Sequence, residues 1–145
     1  YKEVYNMLSA YPACFIKEET GYSVIFPDLD IATCGKDLED ALAMSIDCLA
    51  GYLYSADMDG ENIPPASSIK AVDPQKIMDE LEVTSNEAFI NIVTVDVAEY
   101  AKTHFTTSVR KNLTIPSWLN DAAMKQNINF SQVLQEALLQ KVQAK

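Results

Sequence analysis

The stretch Arg110–Val142, RKNLTIPSWLNDAAMKQNINFSQVLQEALLQKV, decides how the chain is organised. From Arg110 to Ile115 the residues alternate, and in a strand alternate side chains share a face. Arg110, Asn112 and Thr114 therefore point one way while Leu113 and Ile115 point the other. Pro116 ends the strand. Leu119, Ala122 and Ala123 then fall on one side of a short helix, and a second helix begins after the turn-like segment Gln126–Asn129. Asn129 followed by Gln132 reads as a capping box, with Ile128 placed to staple onto Val133. Lys111 shares the apolar side of the strand, a place it can occupy if its stem packs and its amine reaches a backbone phosphate.

A unit of 37 residues, Val109–Lys145, buries too little apolar surface to stand alone, because chains below about 40 residues usually need a metal, disulfides or oligomerisation. It holds no cysteine and no histidine. A lone strand also leaves its ladder groups unpaired, and antiparallel pairing with the same strand of a second chain repairs this. The expectation is a two-fold homodimer through the C-terminal strand and helices, with a higher oligomer left open. Its two-stranded ribbon fits the major groove of double-stranded DNA and offers Arg110, Asn112 and Thr114 from each chain to base edges. The start of the second helix, at Phe130 and Ser131, offers free backbone N–H groups to a phosphate.

The order strand, helix, helix, with R-K-N-L-T-I-P leading into the first helix, resembles a ribbon-helix-helix repressor domain. The resemblance implies base contacts by Arg110, Asn112 and Thr114. Members of that class often have glycine in the turn before the second helix. Here Asn127 or Asn129 occupies the region, and asparagine tolerates left-handed backbone.

Charge divides the chain in the same place. Residues 1–108 hold 6 Lys or Arg against 19 Asp or Glu, a net of −13, and residues 109–145 hold 5 against 2, a net of +3, which together make the overall −10. A polyphosphate is repelled by the first part and attracted by the second, so nucleic acid should meet the tail only. The acidic part suits a basic partner. Cys14, Cys34 and Cys48 are odd in number and widely spaced, which implies buried, reduced thiols and no disulfide framework. His104 is the single histidine, so a Cys/His zinc site has little material, and no metal or cofactor is expected. No apolar run reaches the roughly 18 residues of a membrane span. The expectation is a cytoplasmic protein without a membrane partner.

In the first hundred residues, Ala13–Glu19 and Tyr22–Pro27 read as strands around Thr20-Gly21, and Ile31–Cys34 as a third. Asp37 opens a helix on which Leu38, Leu42, Ile46, Leu49 and Leu53 form a stripe suited to lying across a sheet. Asp57–Pro65 reads as a loop, Asp73–Leu81 as a short helix, Ala88–Val97 as the strongest strand and Ala98–Ser108 as a connection. The order β-β-β-α-β, with the optional short helix before the last strand, predicts an α+β layered domain. Domains are expected at 1–100 and 109–145, joined by a linker at 101–108.

Gly21-Tyr22, Phe26-Pro27-Asp28-Leu29, Gly35 followed by Leu38-Glu39-Asp40-Ala41, and Ile63-Pro64-Pro65-Ala66-Ser67 resemble the HicB antitoxin family. That family pattern usually continues with Pro-Gly after Pro-Asp-Leu, where this chain has Asp30-Ile31, and with Asp-Thr or similar after the later glycine, where it has Lys36-Asp37. The resemblance implies a partial ribonuclease-H-like fold followed by a ribbon-helix-helix domain. It also implies neutralisation of a small basic RNA-cleaving toxin, HicA, and repression of the operon. A body at −13 agrees with such a partner, which it would attract and meet faster. Tyr22, Phe26, Asp28 and Asp30 combine aromatic anchors with carboxylates and are the candidate toxin contacts, although Tyr22 and Phe26 also suit a core.

Two other readings remain. A ribonuclease-H-like body could be a metal-dependent nuclease if carboxylates converged on divalent ions. Asp28, Asp30, Asp37, Glu39 and Asp40, however, sit where solvated turns and a helix N-terminus account for them, so no catalytic residue is assigned. The alternative is a ribbon-helix-helix repressor whose acidic part senses a small ligand.

Overall fold

Thr20 and Gly21 turn the chain between β1 (Leu8–Lys17) and β2 (Tyr22–Phe26) in the computed structural model, which describes residues 8–105 and 108–143. Gly21 takes φ +93°, and the Glu18 N–H donates to the Gly21 carbonyl at 2.9 Å to close the hairpin. β3 (Ile31–Gly35) pairs antiparallel with β2, and β4 (Ala88–Asp96) pairs antiparallel with β1 from Leu8↔Asp96 to Ile16↔Ala88. The strand order is β3-β2-β1-β4.

β1 begins five residues before the expected Ala13 and passes through Pro12. Ladder phase explains why proline is tolerated. The Lys17 N–H donates to the Glu87 carbonyl, so odd-numbered residues of β1 aim their N–H at β4 and even-numbered ones aim towards β2. β2 pairing stops at Cys14↔Ile25, so Pro12 removes a donor that β2 would not have met.

One face of the sheet carries α1 (Leu38–Met58), which extends beyond Asp57, where a loop was expected. The Asp37 side chain accepts from the Asp40 N–H at 2.8 Å, while the Asp40 carboxylate accepts from the Lys36 N–H at 2.9 Å. These bonds satisfy donors that a helix start leaves open. The buried face differs from the expected stripe. Ala41, Ser45, Leu49, Ala50, Leu53 and Ala56 are buried, whereas Leu38 and Leu42 are 40% and 37% exposed. The cause lies at Gly35, where a Cβ would overlap the Ala41 backbone. The helix starts so close to the sheet that small residues must face it.

Phe15, Val24, Phe26, Leu49 and Leu53 centre the main core on that face. On the opposite face, α2 (Pro74–Leu81) packs Ile77 and Met78 against Cys14 and Ile16. Where Val97 was expected to end the strand and Ala98–Ser108 to form a connection, the chain instead forms a helix, α3 (Val97–His104), capped by the Asp96 side chain on the Glu99 N–H at 3.2 Å. Tyr100 and Phe105 pack against the core, so this segment belongs to the first layer structure. Of the linker expected at 101–108, residues 106–107 lie outside the described residues. The three thiols also differ from the expectation of uniform burial, with Cys14 buried, Cys48 partly so and Cys34 exposed.

The chain divides into two units, Tyr1–Thr107 and Ser108–Lys145. The second contains α4 (Ser117–Lys125) and α5 (Phe130–Gln143), with residues 108–115 in no regular element. The strand expected at Arg110–Ile115 is therefore absent from the single chain. A ladder needs a partner strand, and none pairs with this segment among the described residues.

Candidate functional site

Among its described residues, the second unit has no buried residue. Leu113, Trp118, Phe130, Val133 and Leu139 are all exposed, Trp118 to 71%. An open groove of about 590 Å³ runs between the 110–115 segment and the two helices, lined by Leu113, Ile115, Leu119, Ile128, Val133 and Leu134 among others. Lys111 also lines it, while Arg110, Asn112 and Thr114 do not. The alternation read from the sequence is thus present even without a ladder. Leu134 and Ala137, which the sequence reading did not single out, line the groove as well, and the helical spacing of apolar residues in α5 was their signal.

Asn127 takes φ +55°, so the left-handed position in the turn falls on asparagine. The Asn129 side chain accepts from the Gln132 N–H at 3.1 Å. Gln132 does not complete the box, because its amide donates forward to Glu136 at 3.1 Å. Phe130 and Ser131 are the first residues of α5, and no hydrogen bond from either N–H is found among the described residues.

The candidate contacts in the first unit separate into two kinds. Phe26 is fully buried and belongs to the core, so it has no surface to offer a partner. Asp28 uses its carboxylate internally, accepting from the Ser67 N–H at 2.9 Å and the Ser67 hydroxyl at 2.6 Å. Tyr11 donates its hydroxyl to the Pro64 carbonyl at 2.6 Å nearby, and burial, helped by the Asp28 charge, pushes its phenol pKa up. The motif around Phe26–Leu29 is thereby joined to the motif at Ile63–Ser67.

Tyr22 and Asp30 remain at the surface. Tyr22 is half-buried and donates to Glu87 at 2.8 Å, a bond that raises its phenol pKa. Asp30 is exposed at φ +53°, a conformation that aspartate adopts more readily than most residues. Asp28, Asp30, Asp37, Glu39 and Asp40 do not gather into a group of three that could hold a cation, nor do other acidic, Cys or His side chains among the described residues. No helix of the described residues is long and apolar enough to cross a membrane.

No curated protein sequence matches the chain at a significant level. Among solved structures, a chain of a toxin-antitoxin complex from Streptococcus pneumoniae is 31% identical, with a TM-score of 0.60, over 93% of this chain and 99% of that one. The antitoxin HicB of Burkholderia pseudomallei is 19% identical, with a TM-score of 0.45, over 92% of this chain and 96% of that one. Residues 11–143 match the family described as HicB-like antitoxin of bacterial toxin-antitoxin systems. The match runs through both units, from the buried Tyr11 to the end of α5, and the chain belongs to the HicB-like antitoxin family.

Proposed function

We propose that this antitoxin neutralises a small, basic, HicA-like RNA-cleaving toxin by direct binding through its first unit. We further propose that it represses its own operon by binding promoter DNA through a dimer of its second unit. It acts by binding, in the cytoplasm, without chemistry or a cofactor of its own. The observation that carries the reading is the second unit, which has a net charge of +3, no buried residue among those described and an apolar groove. Such a unit needs a partner surface, and a second copy supplies one of matching shape.

Pairing the 110–115 segments of two chains turns Lys111, Leu113 and Ile115 towards the shared core and Arg110, Asn112 and Thr114 towards a major groove. Lys111 then reaches a phosphate beyond the apolar side. The N–H groups of Phe130 and Ser131 meet a backbone phosphate.

Toxin binding is supported by the net −13 of residues 1–108 and by the Streptococcus pneumoniae relative, whose structure was solved as a toxin-antitoxin complex. Tyr22 and Asp30 are the proposed contacts, with Asp28 holding the turn that presents Asp30.

Co-purification of the untagged protein with the product of its neighbouring gene, followed by a gel shift on the shared promoter at two salt concentrations, tests both parts. The expected result is a basic partner of under about 100 residues, together with a shift that weakens at higher salt. A shift without a partner would leave a repressor alone. A partner without a shift would make the second unit a dimerisation device only.

A further inference from the structure

Leu38, Leu42, Leu49 and Leu53 share one side of α1, yet the stripe changes character along its length. Leu49 and Leu53 are buried on the sheet, while Leu38 and Leu42, in the first two turns, are exposed. The ladder fixes what stands beside them. Gly35 lies against the Ala41 backbone and pairs with Tyr22, so the residues that flank Ala41 on the helix stand next to Tyr22.

Tyr22 reaches across β1 to Glu87, and Phe89 stacks on Phe15 with 5.2 Å between ring centroids. Both Tyr22 and Phe89 lie on the α1 face of the sheet and are only half-buried. Leu38, Leu42, Tyr22 and Phe89 thus make an apolar shelf that the fold leaves partly open.

We propose that this shelf is the apolar anchor of the toxin interface, taking an apolar side chain of the basic partner beneath the start of α1. The assignment rests on toxin binding by the first unit. It extends the contact from Tyr22 alone to a surface, and it divides the work: the leucines hold the complex together while the surrounding carboxylates bring the partner in.

Charge selects a basic partner as the occupant. The hairpin turn, the start of α1 and the residue before β4, which are residues 17–19, 36–40 and 87, carry two lysines against six carboxylates, a net of −4. Glu19 and Glu39 are exposed and hold no hydrogen bond among the described residues. A second copy of this chain would set the same −4 against itself, whereas a cationic rim around an apolar side chain meets both features at once.

Association and dissociation rates of the full chain with its co-purified basic partner, at two salt concentrations, test the proposal. Covering the open two-fifths of each leucine corresponds to roughly a fivefold change, so Leu38→Ser and Leu42→Ser should each speed dissociation by about fivefold or more. Association should stay within about twofold. Glu39→Gln should slow association by about twofold at low salt, less at high salt, and leave dissociation unchanged. Met44 is the control, because it is 38% exposed but lies roughly 200° round the helix from Leu42. Met44→Ser should change neither rate.

A partner that leaves the Leu38→Ser and Leu42→Ser chains no faster than the unaltered one would overturn the shelf and leave toxin binding intact. Equal loss in Met44→Ser would do the same. An unaltered chain that binds no basic partner would bring down both the shelf and the toxin-binding reading. Sedimentation of the toxin-free chain should give the same mass with and without Leu42→Ser, and a lower mass in the variant would hand the shelf to a second copy.

Discussion

Asp28 holds Ser67 by both its N–H and its hydroxyl, at 2.9 and 2.6 Å, across 39 residues of chain. The bond joins the β2–β3 turn to the loop that follows α1. It changes the role expected of Asp28, since a carboxylate already holding two donors is committed to shape. Asp28→Ala should cost about 1–2 kcal/mol, because charge-assisted bonds at a half-exposed site fall at the lower end of their range. Ser67→Ala should cost less, and the pair should be non-additive by about 1 kcal/mol in urea-denaturation midpoints. An Asp28→Ala protein with an unchanged midpoint and lost toxin binding would make Asp28 a direct contact instead.

Two glycines test how closely α1 lies on the sheet. A Cβ on Gly35 would overlap the backbone of Ala41, which no rotamer change can relieve. Gly35→Ala should lower stability by roughly 3 kcal/mol or prevent folding. Gly51 is the control, because a Cβ there meets only the Phe105 ring at 3.9 Å. Within a helix, Gly51→Ala should raise stability by about 0.5–1 kcal/mol. Thermal melts of the two variants should therefore move in opposite directions.

The elements that the sequence revealed are those fixed by local chemistry. Asp37 marks the start of α1, Thr20-Gly21 the hairpin turn, and Asn127 and Asn129 the turn before α5. The elements it obscured depend on partners distant in sequence. Leu38 and Leu42 looked like core residues by spacing, yet Gly35 brings the helix so close that Ala41 and Ser45 take their place. The first strand was expected to begin at Ala13, but it runs on through Pro12, whose missing donor lies beyond the last β2 pair. Tyr100 and Phe105 gave the segment after Asp96 an apolar side that a reading of it as a connection overlooked. At the candidate toxin surface, residue type alone could not tell a buried Phe26 and an occupied Asp28 from the exposed Asp30.

Cys14 should make the fold sensitive to alkali. Burial in the cluster with Ile16, Ile77 and Met78 pushes its thiol up to about 11, because a thiolate there would lose its hydration. In the unfolded chain the thiol ionises near 9, so its contribution is intact below pH 9 and is lost as pH rises towards 11. The loss should be on the order of 2 kcal/mol. Tyr11 and Tyr100, also raised chiefly by burial, act in the same direction at higher pH. Urea midpoints should fall over that window, and less steeply in Cys14→Ala. At neutral pH a thiol reagent should modify the exposed Cys34 readily and Cys14 only after unfolding.

Arg110 and Lys111 are neighbours in sequence with different expected effects on DNA. Arg110 is off the apolar groove, so in the proposed paired strand it would face the bases. Arg110→Ala should cost about 1–3 kcal/mol on the operator and narrow the gap between operator and unrelated DNA, and Asn112→Ala should do the same. Lys111 lines the groove, so in the proposed DNA complex only the end of its side chain would reach a phosphate. Lys111→Ala should weaken binding to every sequence alike and lower the slope of log affinity against log salt by about 1. Toxin neutralisation should survive all three changes, because residues 108–145 form a separate unit. Titrations on operator and scrambled duplexes at several salt concentrations separate the two effects. Equal loss on both duplexes from Arg110→Ala would show that the segment holds DNA without reading it.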